Sequence, residues 1–254
     1  MFKVQTQSQG PQLTGRRRLS AGELSILLDG HERFLDGKGG KRAQLPFVDF
    51  SGLDLSKRRL SGADLSGSVF DGAILTGAQL DGAILAGCDL RRADLRNANL
   101  RKANLRGACL QAANLSGADL TEADLRPGQV ARPHPTRGFP AVVEEGRSGE
   151  MDGAILSGAT LDGSRLDGLY AADTDFSDAS LAGARLTDAN LKGASFAGAI
   201  LAQATISGAN LEGASFKGAD VSGAVLTHGV RLADTLEPPT REAVARCVKL
   251  VEAA

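Results

Sequence analysis

Three histidines, three cysteines and many regularly spaced aspartates are the residues with which this 254-residue chain could do acid–base, nucleophilic or metal chemistry. His31, His134 and His228 are scattered along the chain, and Cys88, Cys109 and Cys247 show no CxxC spacing. Neither a zinc site nor a disulfide framework is therefore expected. A nucleophile needs a base within hydrogen-bond reach, and the base needs a group to orient it. No such set can be assembled from these six residues, and the aspartates follow a repeating pattern instead of converging on a pocket. No catalytic, cofactor-binding or metal-binding residue is assigned, and a non-enzymatic protein with no small-molecule substrate is expected. Four arginines, Arg91, Arg96, Arg101 and Arg106, recur at a step of five and, with Arg92 and Lys102, form a basic belt for an anionic partner.

The element that positions these residues is a repeat. Leucines fall at 90, 95, 100 and so on to 125, each preceded two residues earlier by a small residue from Cys88 to Ala123. Asp or Asn stands between them except at Cys109. Neither a helix nor a strand alone gives a period of five. The register runs from Leu45 to Leu125 and again from Leu156 to Leu226, with Leu or Phe at nearly every centre. At Ala171 the large and small residues have exchanged places with Leu169, which keeps interior volume. Phe50 and Phe70 are twenty apart, as are Phe176, Phe196 and Phe216. Four five-residue sides closing one coil would stack them about 4.8 Å apart in offset ladders. Centres and the residues two before them point inward, and glycine commonly follows two after, where the chain turns. Cys88 then faces the core and Cys109 faces out. Asp71 and Asp81, twenty before Arg91 and Arg101, would pair with them across coils as surface ion pairs worth about 0–1 kcal/mol each.

The run Ala-(Asp/Asn)-Leu-x-x resembles the signature of the pentapeptide repeat family over 43–126 and 152–230. That resemblance implies an all-β solenoid, a right-handed quadrilateral β-helix of about eight coils with short capping α-helices at both ends. Lys57-Arg58-Arg59 departs from the pattern by placing Arg58 in an inward slot.

In chain order, 1–19 is a polar tail, and 20–40 is a capping helix with a Gly-rich link. Its start, Ser20-Ala-Gly-Glu23, reads as a capping box. His31 lies in its apolar stripe and reads as a packed structural histidine. Residues 41–126 form the first array, 127–150 a Pro/Gly-rich loop insertion, 151–232 the second array, and 238–254 a C-terminal helix. The insertion breaks the phase, though Val130 could extend the first array by one side. One continuous stack with a loop thrown from a corner is the preferred reading; two stacks joined by a linker is the rival. Helices at the ends would cover strand edges that otherwise invite association.

Function is bounded more weakly. Basic and acidic residues nearly cancel, 29 against 30, and no apolar run is long enough to span a bilayer, so a cytoplasmic protein with no membrane partner is expected. Without aromatics beside the belt, direct nucleic-acid binding is not expected. The leading expectation is a rigid interaction scaffold that binds a protein partner through its faces and loop. Arg132, His134, Arg137, Phe139, Val142 and Val143 are the candidate contacts in that loop, and a neutral insertion fits the sequence equally. The C-terminal helix could pair two copies as a homodimer. The alternative comes from the family resemblance: a DNA-mimicking modulator of a type II topoisomerase, of the kind that confers quinolone resistance. Over 151–230 nine acidic residues stand against four basic ones, which favours it, while 45–126 is balanced at ten against ten.

Overall fold

The computed structural model describes residues 16–133, 140–147 and 149–226, with 129–133 and 140–147 as backbone. Helix α1, Ala21–Leu35, opens with the capping box read from the sequence: the Ser20 side chain accepts from the Glu23 amide, and Glu23 accepts from the Ser20 amide. Beyond it the chain is built from single-residue parallel bridges twenty residues apart, from Gln44 with Asp64 to Thr205 with Val225. Four pentads therefore make one turn of a β-helix. We number its sides from the centres of the first turn, Leu45, Phe50, Leu55 and Leu60.

Each pentad closes with a β-turn. The Ala63 amide donates to the Leu60 carbonyl at 3.0 Å, with Gly62 at φ +66°, and the same geometry recurs around the coil. Such a type II turn needs a positive φ at its third residue, which is why glycine is frequent there. The Asp or Asn before each centre accepts a hydrogen bond from the amide after it, as Asp94 does from Arg96 at 3.2 Å and Asn114 from Ser116 at 3.0 Å. This Asx turn is the physical reason for the polar residue in the repeat.

The interior is filled as the spacing predicts. The leucine and phenylalanine centres are buried, and Phe50–Phe70, Phe176–Phe196 and Phe196–Phe216 stack with ring centroids 4.8, 5.1 and 5.0 Å apart. Each such centre contributes about 1.5–3 kcal/mol of burial. Arg58 does occupy an inward slot. It lies in the first turn, where no coil stacks below, and its guanidinium reaches Glu32 of α1 at 3.4 Å. Leu53, in the neighbouring small-residue slot, also packs only partly buried.

The ladder crosses the insertion without a break. Cys109 pairs with Glu150, Asn114 with Ile155, Asp119 with Thr160 and Asp124 with Arg165, all 41 apart where the coil repeat is 20. Twenty-one residues therefore leave the coil at one corner. Val130 does not extend the array: it lies in a projecting strand, and Met151 fills the next core position over Leu110. The cause is Pro127. It stands two after Leu125, where corners from Phe47 to Glu122 and from Gly153 to Gly223 have positive φ. Proline's ring fixes φ near −65°, so the turn cannot close. On re-entry the exchanged pair is accommodated by Gly149, where a Cβ would stand 2.9 Å from Leu169 Cδ1 and 2.6 Å from the Leu125 carbonyl oxygen.

Candidate functional site

The residues that first suggested chemistry are held apart or buried. Cys88 is enclosed in the core, where burial pushes its thiol up to about 12 and Sγ contacts the Leu65 carbonyl at 3.1 Å. Cys109 points outward as its place in the pentad implies, but it is covered and only 5% exposed. Burial raises it to about 11, and its sulfur lies 3.6 Å from both Glu150 and Gln111 oxygens. A thiol so far from ionisation is a poor nucleophile. His31 is buried against the first turn; His228 and Cys247 lie outside the described residues. Among the described residues no group of three or more His, Cys, Asp or Glu side chains could hold a metal ion.

The basic belt is present but internally neutralised, and not by the partners expected. Arg91 pairs with Asp89 of its own pentad at 2.5 Å, not with Asp71, which Arg92 takes instead. Arg96 pairs with Asp94 at 2.6 Å in the same way. The Asx turn explains this: it fixes a carboxylate beside the residue after the centre, within reach of that residue's own guanidinium. Where Asn replaces Asp there is no charge to meet, so Arg101 turns to Asp119 at 3.1 Å and not to Asp81. Arg106, likewise after an Asn, donates to the Pro127 carbonyl at 3.3 Å. Lys102 lies 3.6 Å from Glu122. Burial raises the Asp89 pKa, but the Arg91 guanidinium outweighs it and holds the carboxyl below its usual value. With five of its six cations paired to carboxylates and only Arg106 on a neutral carbonyl, the belt offers little field to an anionic partner.

The feature left over is the projection. Strands β1, Gly128–Pro133, and β2, Pro140–Arg147, pair antiparallel as a two-stranded hairpin with an irregularity between Gln129 and Ala131. The Pro/Gly-rich sequence reads as a loop here, and the structure pairs it as a hairpin instead. Its exit is cleared by glycines. A Cβ on Gly107, one coil below, would meet the Gly128 carbonyl oxygen at 3.0 Å, and one on Gly168, above, would meet Pro127 Cγ at 3.3 Å. Ala131 faces Val142 and Arg132 faces Ala141 across the hairpin, so Arg132, Val142 and Val143 are brought onto one small sheet. His134, Arg137 and Phe139 lie outside the described residues, as does the proposed C-terminal helix.

The acidic surplus of the second array is spread around the rod. Asp152, Asp173 and Glu212 follow centres of the second side, Asp178 the third, Asp162 the fourth, and Asp167 and Asp188 the first. Asp175 and Asp220 lie on the third and fourth sides. Lys192 pairs with Glu212 at 2.9 Å, and Arg185 with Asp167 at 3.3 Å. No single acidic face results. Among the described residues no helix is long and apolar enough to cross a membrane.

A family profile described as Pentapeptide repeats matches residues 49–87, 88–126, 154–193 and 189–227, with 8 copies. No curated protein matches the chain. Among solved structures it is similar to HetL, a pentapeptide repeat protein involved in heterocyst differentiation regulation from the cyanobacterium Nostoc sp. strain PCC 7120. The identity is 27% over 85% of this chain and 94% of that one, with a TM-score of 0.35. It is also similar to a trypsin-treated form of QnrB1, a plasmid-mediated fluoroquinolone resistance protein, at 19% identity over 83% and 100% of the two chains and a TM-score of 0.35. A third likeness is Rfr23 from the cyanobacterium Cyanothece 51142, at 23% identity over 54% and 86%, with a TM-score of 0.29. With the repeat match spanning more than half of its length, and a twenty-residue coil built from every matched pentad, the chain belongs to the pentapeptide repeat family.

Proposed function

We propose that the protein is a non-enzymatic, cytoplasmic interaction scaffold whose β-hairpin at 128–147 is the recognition element for a protein partner, with the adjoining rod faces as a second contact. One observation carries this reading. The ladder closes across the insertion, so the hairpin adds nothing to the stack, yet it leaves at a fixed corner between Gly107 and Gly168. Elements mounted on a rigid frame with no structural duty are where recognition concentrates. Both hairpin strands are edges, which gives main-chain groups for a partner strand as well as side chains.

The test follows from the 21-residue excess. Excising 128–148 restores the pentad period, provided Pro127→Gly is made as well so that the corner can close. The excised chain is expected to keep the melting behaviour of the parent and to lose partner capture in a pull-down. Identical partner sets from both chains would remove the hairpin from the reading. The alternative, modulation of a type II topoisomerase by DNA mimicry, draws on the net charge of the second array. Charge shared among four corners supports it poorly, because a DNA mimic must present a continuous anionic track. Supercoiling by purified gyrase is expected to be unchanged by an excess of this protein.

A further inference from the structure

Helix α1 rests on the end of the rod through Leu24, Leu28 and His31, and just ahead of it Leu19 packs on the same core and Arg17 bridges in parallel to Val48. Only Leu28 and His31 of the helix are fully buried, while Ile26, Leu27 and Phe34 are exposed. Arg58 to Glu32 and Arg59 to Asp36 are ion pairs at its margin, and the Lys41 amide donates to the Gly30 carbonyl at 3.2 Å. At the centre of this contact, His31 Nδ1 accepts a hydrogen bond from the Ala43 amide at 3.0 Å. Ala43 is the small inward residue of the first pentad. An Nδ1 that accepts must carry a lone pair, so the ring is neutral with its proton on Nε2. Nε2 is itself buried with no hydrogen-bond partner.

We propose that His31 is an acid-sensitive latch whose protonation releases helix α1 from the end of the β-helix. A second proton can go only onto Nδ1, where it would face the Ala43 N–H, donor against donor. The docked state therefore excludes the imidazolium, whereas a released helix lets water solvate it. The charged and polar groups around the ring come from three elements. Glu32 on α1 and the Ser61 backbone of the first turn favour the charged ring; Arg42 of the link and Arg59 of the first turn oppose it. Burial is the largest influence, and together they place the ring below its ordinary value of 6.5. Asp36, held below 3.8 mainly by Arg59, keeps its charge over the range in which the ring titrates.

The sign is fixed by this direction. A base whose pKa is lowered on docking favours the docked state fully above 6.5 and progressively less as pH falls below it. Release would expose the end layer formed by Leu45, Phe50, Leu55 and Leu60, now in one cluster with Leu28.

Amide exchange of the intact chain, corrected for the chemical rate, measures this at about pH 7.5 and about pH 5. Protection of 21–35 is expected to fall at the lower pH, while 88–125 keeps its protection. His31→Asn retains an acceptor in reach of the Ala43 amide but cannot titrate, so its protection should not depend on pH. Equal protection of α1 in the parent at both pH values would overturn the proposal, as would a pH response of the variant as large as the parent's. If the variant does not dock at all, nitrogen-15 shifts of the parent's His31 decide. A ring protonated on Nε2 that titrates below its ordinary value supports the latch, and ordinary titration or the other tautomer rejects it.

Discussion

The stretch from Cys88 to Leu125 and the second array share one interior and differ at their corners. Inside, both present a large apolar residue, mostly leucine or phenylalanine, at nearly every centre and a small residue two before it, nearly all fully buried; Ala171 and Leu169 have exchanged places. At the corners, Arg92, Asn97, Lys102, Ala112 and Glu122 of the first stretch adopt a left-handed backbone without being glycine. The second array uses glycine at most corners and departs from it at Asp173, Asp178, Asp188 and Gln203. Those four departures obey a rule: a glycine follows twenty residues later, at 193, 198, 208 and 223, and each lies under the earlier side chain. Phe47 with Gly67 and Asn97 with Gly117 do the same. Two corners escape the rule: Arg92 turns down to Asp71, leaving room for Ala112 above, and Lys102 is followed by Glu122, with which it pairs. The interior is thus one solution used throughout, and the corners are where the chain varies.

If the interior is shared, matched core truncations should cost the same. Leu100→Ala and Leu181→Ala, both on the fourth side and fully buried, are each expected to lose about 2–5 kcal/mol by chemical denaturation. A large disparity between them would break the comparison and mean that the arrays unfold as separate units. At the corners the comparison should reappear as a difference. Gly198→Ala adds a Cβ 2.3 Å from Asp178 Oδ1 to the backbone cost, whereas Gly72→Ala meets nothing within 4 Å. Gly72→Ala is expected to cost about 1–2 kcal/mol from the left-handed backbone alone. Gly198→Ala should cost more, and Asp178→Ala in the same chain should remove the excess. Equal costs for the two glycines, read from denaturation midpoints, would discard the rule.

The smallest effect belongs to the belt. Asp89 has its carboxyl held below 3.8 by Arg91 despite burial, so its contribution is present above that value and fades as pH falls through and below it. Because the Arg91 side chain is 45% exposed, screening limits the pair to under about 1 kcal/mol. Asp89→Asn should therefore lower stability near neutrality by under about 1 kcal/mol and leave the acid end almost unchanged, which flattens the acid limb slightly. A steep residual acid dependence in the variant would assign that limb to other carboxylates.

The basic belt shows where sequence reading stopped. That Arg91 and Arg101 would be paired was legible from the twenty-residue coil, but not with whom. The partner depends on whether the preceding polar residue is Asp or Asn, because the Asx turn fixes that side chain within reach of the next one. Cys109 was read as facing solvent from its position in the pentad, and it does stand on the outer surface. Its burial follows from what covers that side, which no local pattern records. The break in register after Leu125 is plain in the sequence, and the observed corners give its reason: a proline two after a centre cannot supply the positive φ that a corner needs.

The sequence by itself determined the coil, its twenty-residue rise, the phenylalanine ladders and the place where the register breaks. Those follow from side-chain size and backbone preference repeated at a fixed short spacing, and such local rules add up without reference to the rest of the chain. Only the tertiary structure decided that the ladder continues from Cys109 to Glu150 across the insertion and that 128–147 pairs as a hairpin. It alone also seated His31 on the Ala43 amide. Each of these joins residues that no repeat relates, so their pairing depends on how separate segments meet in space.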